Sequence, residues 1–223
     1  MILQISLKGF SMKISLLLLL LSINVFAQRS KEERRALFDQ KTKELKETGI
    51  EKKIPKVGET FPDLKIDGKL VSAYLKENPL VITFYRGGWC PYCVKQLKEI
   101  DSELSKIEPS AKLIALSPEQ ESEVRKTKSK NNLKFTVISD KKNELARKLG
   151  LVFKVDPEVN KEYKMLGLDL EASQGDKSFE LPIPATFVID QNRKIIYSFA
   201  DADYTKRADT KEIIDAVKKL KSI

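Results

Sequence analysis

The sequence predicts an α/β domain, and three observations predict it. Short apolar runs at Leu80–Tyr85, Leu113–Leu116 and Phe135–Ile138 are each followed by a helical pattern. Two further apolar runs, Thr186–Ile189 and Ile195–Phe199, are joined by the turn-forming stretch Asp190–Arg193. A last amphipathic segment, Thr210–Leu220, places Ile213, Ile214, Val217 and Leu220 on one face. Apolar strands alternating with helices, then a hairpin and a closing helix, pack as a largely parallel sheet flanked by helices. In such sheets reactive groups gather at the carboxyl ends of strands.

The elements follow in order. Residues 1–27 read as a signal peptide: Lys13, an apolar run from Leu16 to Leu21, and small residues Val25 and Ala27 before the cleavage point. The run is too short to span a bilayer, although an uncleaved anchor is the alternative. Met12-Lys13 looks like the natural start. Export, to a periplasm, is the expected destination. Residues 28–54 form an N-terminal helix and linker. Their helix covers residues 31–49, with scattered apolar positions Ala36, Leu37, Phe38 and Leu45 and a stop at Gly49.

The domain proper covers residues 55–223. Leu64–Ile66 and Lys69–Val71 flank Asp67-Gly68, a two-residue hairpin signal. After the strand at Leu80–Tyr85, a helix is expected from Pro91 to Ile107 with Val94, Leu97, Ile100, Leu104 and Ile107 inward. Ser117-Pro118 looks like the N-cap and first turn of another helix. Asn143–Leu149 is a short helix stopped by Gly150. Residues 151–180 read as an insertion with a helix near Pro157–Leu166 and a polar loop around Ser173–Asp176.

Composition removes several functions. The chain carries 41 basic and 32 acidic residues and no histidine. Without the first 27 residues, which hold Lys8 and Lys13, the net charge is still about +7, but Lys and Arg alternate with Asp and Glu instead of forming a stripe. That pattern is a solvated surface, and nucleic acid is not an expected partner. Two cysteines and no histidine cannot close a zinc site, and Val94 replaces the histidine that haem attachment requires. No metal or cofactor is expected. Proton transfer must use carboxylate, Tyr, Lys, thiol or water.

The chemistry lies in Arg86-Gly87-Gly88-Trp89-Cys90-Pro91-Tyr92-Cys93, which follows the Leu80–Tyr85 run and holds both cysteines. With Cys90 as N-cap and Pro91 as the first helical residue, the sulfur faces free peptide N–H groups, and the positive helix end favours thiolate. Arg86 adds positive charge if it points the same way. Cys93 lies one turn on, about 5–6 Å away at Cβ, so closing a disulfide needs modest adjustment. A structural bridge over so short a loop would stabilise little, which favours a cycling dithiol over a structural disulfide or two unrelated buried thiols. The helix-end argument makes Cys90 the attacking, more exposed thiol and Cys93 the shielded resolver. Trp89 is expected at the surface and Tyr85 packed. Gly87-Gly88 lets the backbone approach the site closely. Pro184, in Pro182-Ile183-Pro184-Ala185-Thr186, precedes a strand, and a cis bond before it would place it against the dithiol. An ordinary strand-leading proline is the equal alternative.

Phe84–Cys93, Leu113–Pro118, Phe135–Gly150 and Pro184–Asp190 together resemble the AhpC/TSA peroxiredoxin-like branch of the thioredoxin superfamily, over roughly residues 55–220. The resemblance implies a thioredoxin-like fold with a central mixed sheet flanked by helices. Trp89–Cys93 is similar to the thioredoxin active site and Pro184–Thr186 to its cis-proline segment. Aligned as a peroxiredoxin on Phe84-Tyr85, the peroxidatic cysteine falls on Cys93, the family threonine on Cys90, its proline on Arg86 and its peroxide-polarising arginine on Pro184. Aligned on the Cys-x-x-Cys, Cys90 attacks, and Thr83 stands where thioredoxin has a buried Asp. The implied activity is a thiol-dependent peroxidase acting on hydroperoxides and recycled by a thiol reductant such as a thioredoxin-like protein. A protein thiol–disulfide oxidoreductase and a non-catalytic thioredoxin-fold binding domain are the alternatives. Oligomeric state is open.

Overall fold

Ser30 starts the first helix by reciprocal capping: the Glu33 amide donates to Ser30 Oγ at 3.1 Å and the Ser30 amide donates to Glu33 Oε2 at 2.7 Å. This helix, α1, runs Lys31–Glu47. The computed structural model describes residues 29–108 and 110–220, so the expected signal segment at 1–27 lies outside the described residues. From Leu37 onward the chain forms one compact unit. Within it Leu45 and Ile50 pack on the core, and Leu37 and Phe38 pack on a satellite cluster around Val155, Val159, Leu170 and Leu181. Among the described residues no helix is long and apolar enough to cross a membrane.

Asp67 (φ 48°) and Gly68 (φ 76°) make the turn between β1 (Lys65–Ile66) and β2 (Lys69–Leu70), as the Asp-Gly pair requires. A short helix α2 (Val71–Leu75) leads to β3 (Leu80–Phe84). Next come α3 (Pro91–Ser102), α4 (Leu104–Ile107), β4 (Lys112–Ser117), α5 (Glu121–Lys130), β5 (Thr136–Ser139) and α6 (Glu144–Lys148). The insertion holds β6 (Val152–Lys154), α7 (Pro157–Met165), α8 (Leu170–Gln174) and β7 (Glu180–Pro182). The chain closes with β8 (Ala185–Ile189), β9 (Ile195–Ala200) and α9 (Thr210–Lys219).

The central sheet has the order β5-β4-β3-β8-β9. β3 lies parallel to β4, with Thr83 opposite Ala115, and β4 lies parallel to β5. β8 is antiparallel to β3 and to β9. The sheet is therefore mixed, as the family resemblance implies, and not the largely parallel sheet that strand–helix alternation alone predicts. The tight β8–β9 connection forces antiparallel pairing, because a parallel pair needs a long crossover. Strand alternation divides the core: Ile82, Phe84, Ile114, Leu116, Phe187 and Ile189 face one side. Val81, Tyr85, Leu113, Ala115 and Val188 face the other, under Leu97 and Ile100 of α3 and Ile213 and Val217 of α9.

Several expected boundaries move. Ser117 does not cap a helix; it is the last residue of β4, paired with Ser139, and α5 begins only at Glu121 after Gln120. Its hydroxyl is taken by Glu119 at 3.3 Å. The helix expected to run to Ile107 breaks at Glu103 (φ −107°, ψ 10°) and restarts as α4. The expected polar loop at 173–176 begins inside α8, which Asp169 caps and Gly175 (φ 74°) ends.

Candidate active site

β3 delivers the chain to the site at its carboxyl end, and α3 carries it away. Cys90 is the N-cap of α3 (φ −86°, ψ 114°) and Pro91 its first helical residue, as the sequence predicts. The turn is held by the Cys90 amide donating to Gly87 O at 3.1 Å and the Val94 amide donating to Cys90 O at 3.0 Å. Two glycines are required here by close approach. A Cβ on Gly88 would overlap Thr127 Oγ1, and one on Gly87 would run into the Trp89 ring and lie 2.9 Å from the Glu119 carboxyl carbon.

Both cysteines are free thiols and both are buried, Cys90 at 1% exposure and Cys93 at 0%. The expectation of an exposed Cys90 is thus corrected. The segment leading into α9 brings Arg207 against both sulfurs: its Nη2 donates to Cys93 Sγ at 3.1 Å and reaches Cys90 Sγ at 3.7 Å. The two thiols are nevertheless unlike. Cys90 is pushed down to about 6, first by the hydrogen bond from the Cys93 thiol, against the penalty of burial, and then by Arg86, the Cys93 amide and Arg207. Cys93 is held well above the ordinary thiol range by burial and by giving its proton to Cys90. One proton shared between the sulfurs therefore rests on Cys93 and leaves Cys90 as thiolate.

Arg86 is buried, at 3% exposure, and turns toward the dithiol. Its guanidinium stacks over Tyr204 (4.7 Å), Trp89 (5.0 Å) and Tyr163 (5.7 Å) and donates to the Tyr163 hydroxyl. Trp89 is half-buried, not free at the surface, because its ring packs on Tyr163 with centroids 5.7 Å apart. Tyr92 is the exposed aromatic residue, edge-on to Tyr204. Tyr85 is packed, as expected. Thr83 is used structurally, sharing a 2.9 Å hydrogen bond with Thr186 Oγ1.

Cys90 opens on a groove of about 390 Å³ walled by Phe38, Trp89, Tyr163, Leu168 and Tyr204. A second cavity of about 240 Å³ shares Phe38, Arg86, Tyr163 and Tyr204 with it and includes Pro184, which does not line the groove itself. The sheet register explains this position. Ala185 lies opposite Phe84, so Pro184 stands just beyond the end of β3, beside Tyr85 and Arg86, and its carbonyl accepts from the Asp201 amide at 3.3 Å. Among the described residues no group of three or more Cys, Asp or Glu is placed to hold a metal.

Arg207, Tyr163, Tyr204 and Glu119 escape the sequence reading. Arg207 lies 114 residues beyond Cys93, in a loop with no motif of its own. Glu119 was hidden by the expectation of a helix at Ser117. It is 2% exposed, and its Oε2 accepts the Gly88 amide at 2.8 Å.

With this geometry established, the chain was compared with known proteins. The profile of the AhpC/TSA family matches residues 50–198. No curated protein matches the sequence. Among solved structures, peroxidoxin BcpB from Mycobacterium tuberculosis superposes with a TM-score of 0.56 at 19% identity, covering 75% of this chain and 97% of that one. A Cys-to-Ser mutant of the peroxiredoxin 6 of Arenicola marina gives 0.56 at 22% identity, covering 75% and 74%. A PrxQ mutant of Xylella fastidiosa gives 0.56 at 15% identity, covering 74% and 96%. At these identities the likeness is one of fold.

Proposed function

The chain belongs to the AhpC/TSA family, and from that premise we propose that it is an exported thiol-dependent peroxidase that reduces hydroperoxides through Cys90 and Cys93. The observation that carries the reading is the asymmetry of the two thiols: Cys90 is lowered to about 6 beside two arginines, and Cys93 is raised. The thiolate is the nucleophile, and a thiol near 6 is largely ionised at neutral pH. Cys90 attacks the terminal peroxide oxygen, the O–O bond breaks, an alcohol or water leaves, and Cys90 becomes a sulfenic acid. Cys93 then attacks the Cys90 sulfur, and the disulfide forms with loss of water. An external dithiol of thioredoxin type returns both residues to thiols. Arg86 and Arg207 hold the charge that the thiolate brings and that the departing oxygen develops.

Export rests on residues 1–27 and is tested by N-terminal sequencing of the protein from its native cell, where a mature chain beginning at Gln28 is the expected result. The catalytic reading is tested by stopped-flow oxidation of the reduced protein with hydrogen peroxide. Cys93→Ser should keep a fast first step and accumulate sulfenic acid; Cys90→Ser should react slowly. Fast sulfenic acid formation at Cys93 in the Cys90→Ser protein would reverse the roles. A second reading, disulfide exchange with proteins, is favoured by one observation: exposed Tyr92 and Leu166 edge the groove at Cys90, where a partner chain could lie. Slow reaction with peroxide together with fast reduction of a protein disulfide would select it.

A further inference from the structure

A buried acid lies behind the dithiol that the scheme above does not use. Tyr85 and Ser117 stand abreast on the face of the sheet that α3 covers: Thr83 pairs with Ala115 two residues earlier, and the Tyr85 amide donates to Leu116 O at 2.9 Å. The Tyr85 side chain is fully buried in the cluster that contains Cys93. Its hydroxyl lies beside Ser117 without completing a hydrogen bond, and the charged or ionisable groups that face it are Glu119 and then Cys93. Glu119 accepts from the Gly88 amide at 2.8 Å, from Ser173 Oγ at 3.2 Å and from Ser117 Oγ at 3.3 Å. Its only charged neighbour named by the electrostatics is Glu123, and no cation offsets its burial. A carboxylate buried without a cation has a raised proton affinity, which suits an acceptor.

Cys93, by contrast, needs such an acceptor. The ionisable groups facing it are Cys90, Arg207 and Arg86. The two cations cannot take a proton, and Cys90 loses its basicity once it is a sulfenic acid. The chain has no histidine to substitute.

We propose that Tyr85 and Glu119 relay the Cys93 proton away when Cys93 closes the disulfide. This rests on Cys93 being the resolver. As the Cys93 sulfur bonds to the Cys90 sulfur, the S–O bond of the sulfenic acid breaks and hydroxide leaves. The Cys93 proton passes to the Tyr85 oxygen while the Tyr85 proton passes to Glu119. Glu119 later gives a proton to solvent and the hydroxide takes one up, so the net products are the disulfide and one water.

The test is stopped-flow peroxide oxidation followed by the fluorescence of Trp89, the single tryptophan, in the full chain and in Tyr85→Phe and Glu119→Gln, both near-isosteric. Disulfide closure should slow about a hundredfold in each variant, the low end of general acid–base contributions, while sulfenic acid formation changes less than about threefold. Closure in the wild type should lose rate toward acid pH, where Glu119 protonates, and level off above it. In Glu119→Gln it should instead rise about tenfold per pH unit, because hydroxide must take the proton. Closure at the wild-type rate in both variants overturns the relay. So does an equal slowing of both phases, or an unchanged pH profile, since either leaves Glu119 only a prop for Gly88. Fast sulfenic acid formation at Cys93 in Cys90→Ser would instead overturn the assignment of roles, which the phase-resolved variants do not test.

Discussion

Arg207 donates to Cys93 Sγ at 3.1 Å and extends to Cys90 Sγ at 3.7 Å, so one guanidinium from the far end of the chain spans the dithiol. It is held there by its own backbone, with Nη1 donating to the Tyr204 carbonyl and, at 2.6 Å, to Lys206 O. The planar fork can hold those carbonyls with one nitrogen and the sulfurs with the other, which a lysine cannot do.

Replacing Arg207 therefore has a directed effect. Arg207→Ala should raise the Cys90 pKa by about one unit, the low end for removal of a close opposite charge. Arg207→Lys should recover only part of the shift. Titration of thiolate absorbance in the Cys93→Ser background measures both. An unchanged Cys90 titration in Arg207→Ala would leave the guanidinium a purely structural role.

The lowered Cys90 also links stability to pH. Its folded value, about 6, lies below the ordinary value of 9.0, so its ionisation stabilises the folded state fully above pH 9 and not at all below about 6. Cys93 is raised and stays protonated in both states until the pH passes 9.0, so it opposes this trend only beyond that point. Between pH 6 and 9 the reduced protein should gain stability with rising pH relative to Cys90→Ser, with a slope of at most about 1.4 kcal/mol per unit. Urea unfolding in reducing buffer at several pH values tests this. Parallel pH dependence in the two proteins would contradict the shift.

Gly88 offers a packing test. Its missing Cβ leaves room for Thr127 Oγ1, and its amide is the donor to Glu119. Gly88→Ala should cost about 1–3 kcal/mol by overpacking and slow peroxide oxidation of Cys90, whose amide hangs on the same turn. Adding Thr127→Ala removes the colliding atom and should restore part of both losses. Failure of the second substitution to help would place the strain elsewhere.

The fold and the dithiol were legible because they rest on local pattern: apolar periodicity, Asp-Gly in a hairpin, and a Cys-Pro pair at a helix start. Sheet direction was less legible, since strand–helix alternation describes only β3, β4 and β5, and the antiparallel half depends on how β8 returns beside β3. The shell around the sulfurs was illegible for the same reason. Arg207, Tyr163, Tyr204 and Glu119 come from four separate segments, and no spacing in the sequence brings them together. Cys90 was placed correctly on α3, but its burial depends on those same segments, so its exposure was misjudged.

Arg86 gives the last prediction. Among the described residues no carboxylate pairs with this buried guanidinium; its partners are Tyr163, the stacked rings and the charge of the two sulfurs. A buried cation without an anion is costly, and replacing one by an apolar side chain of similar volume is often neutral or stabilising by about 1–4 kcal/mol. The anion here is the Cys90 thiolate, present only above about pH 6. Arg86→Met should therefore make the reduced protein at least as stable as the wild type at pH 5, where Cys90 is protonated and Arg86 is uncompensated. Near pH 8 the thiolate returns and the advantage should shrink or reverse. Across the same range Arg86→Met should oxidise with peroxide about tenfold or more slowly, because the thiolate is less populated and the departing oxygen loses a positive neighbour. Unfolding curves at the two pH values and the bimolecular rate with hydrogen peroxide decide it. A variant destabilised equally at both pH values, with an unchanged rate, would mean that Arg86 serves the aromatic packing and not the sulfur.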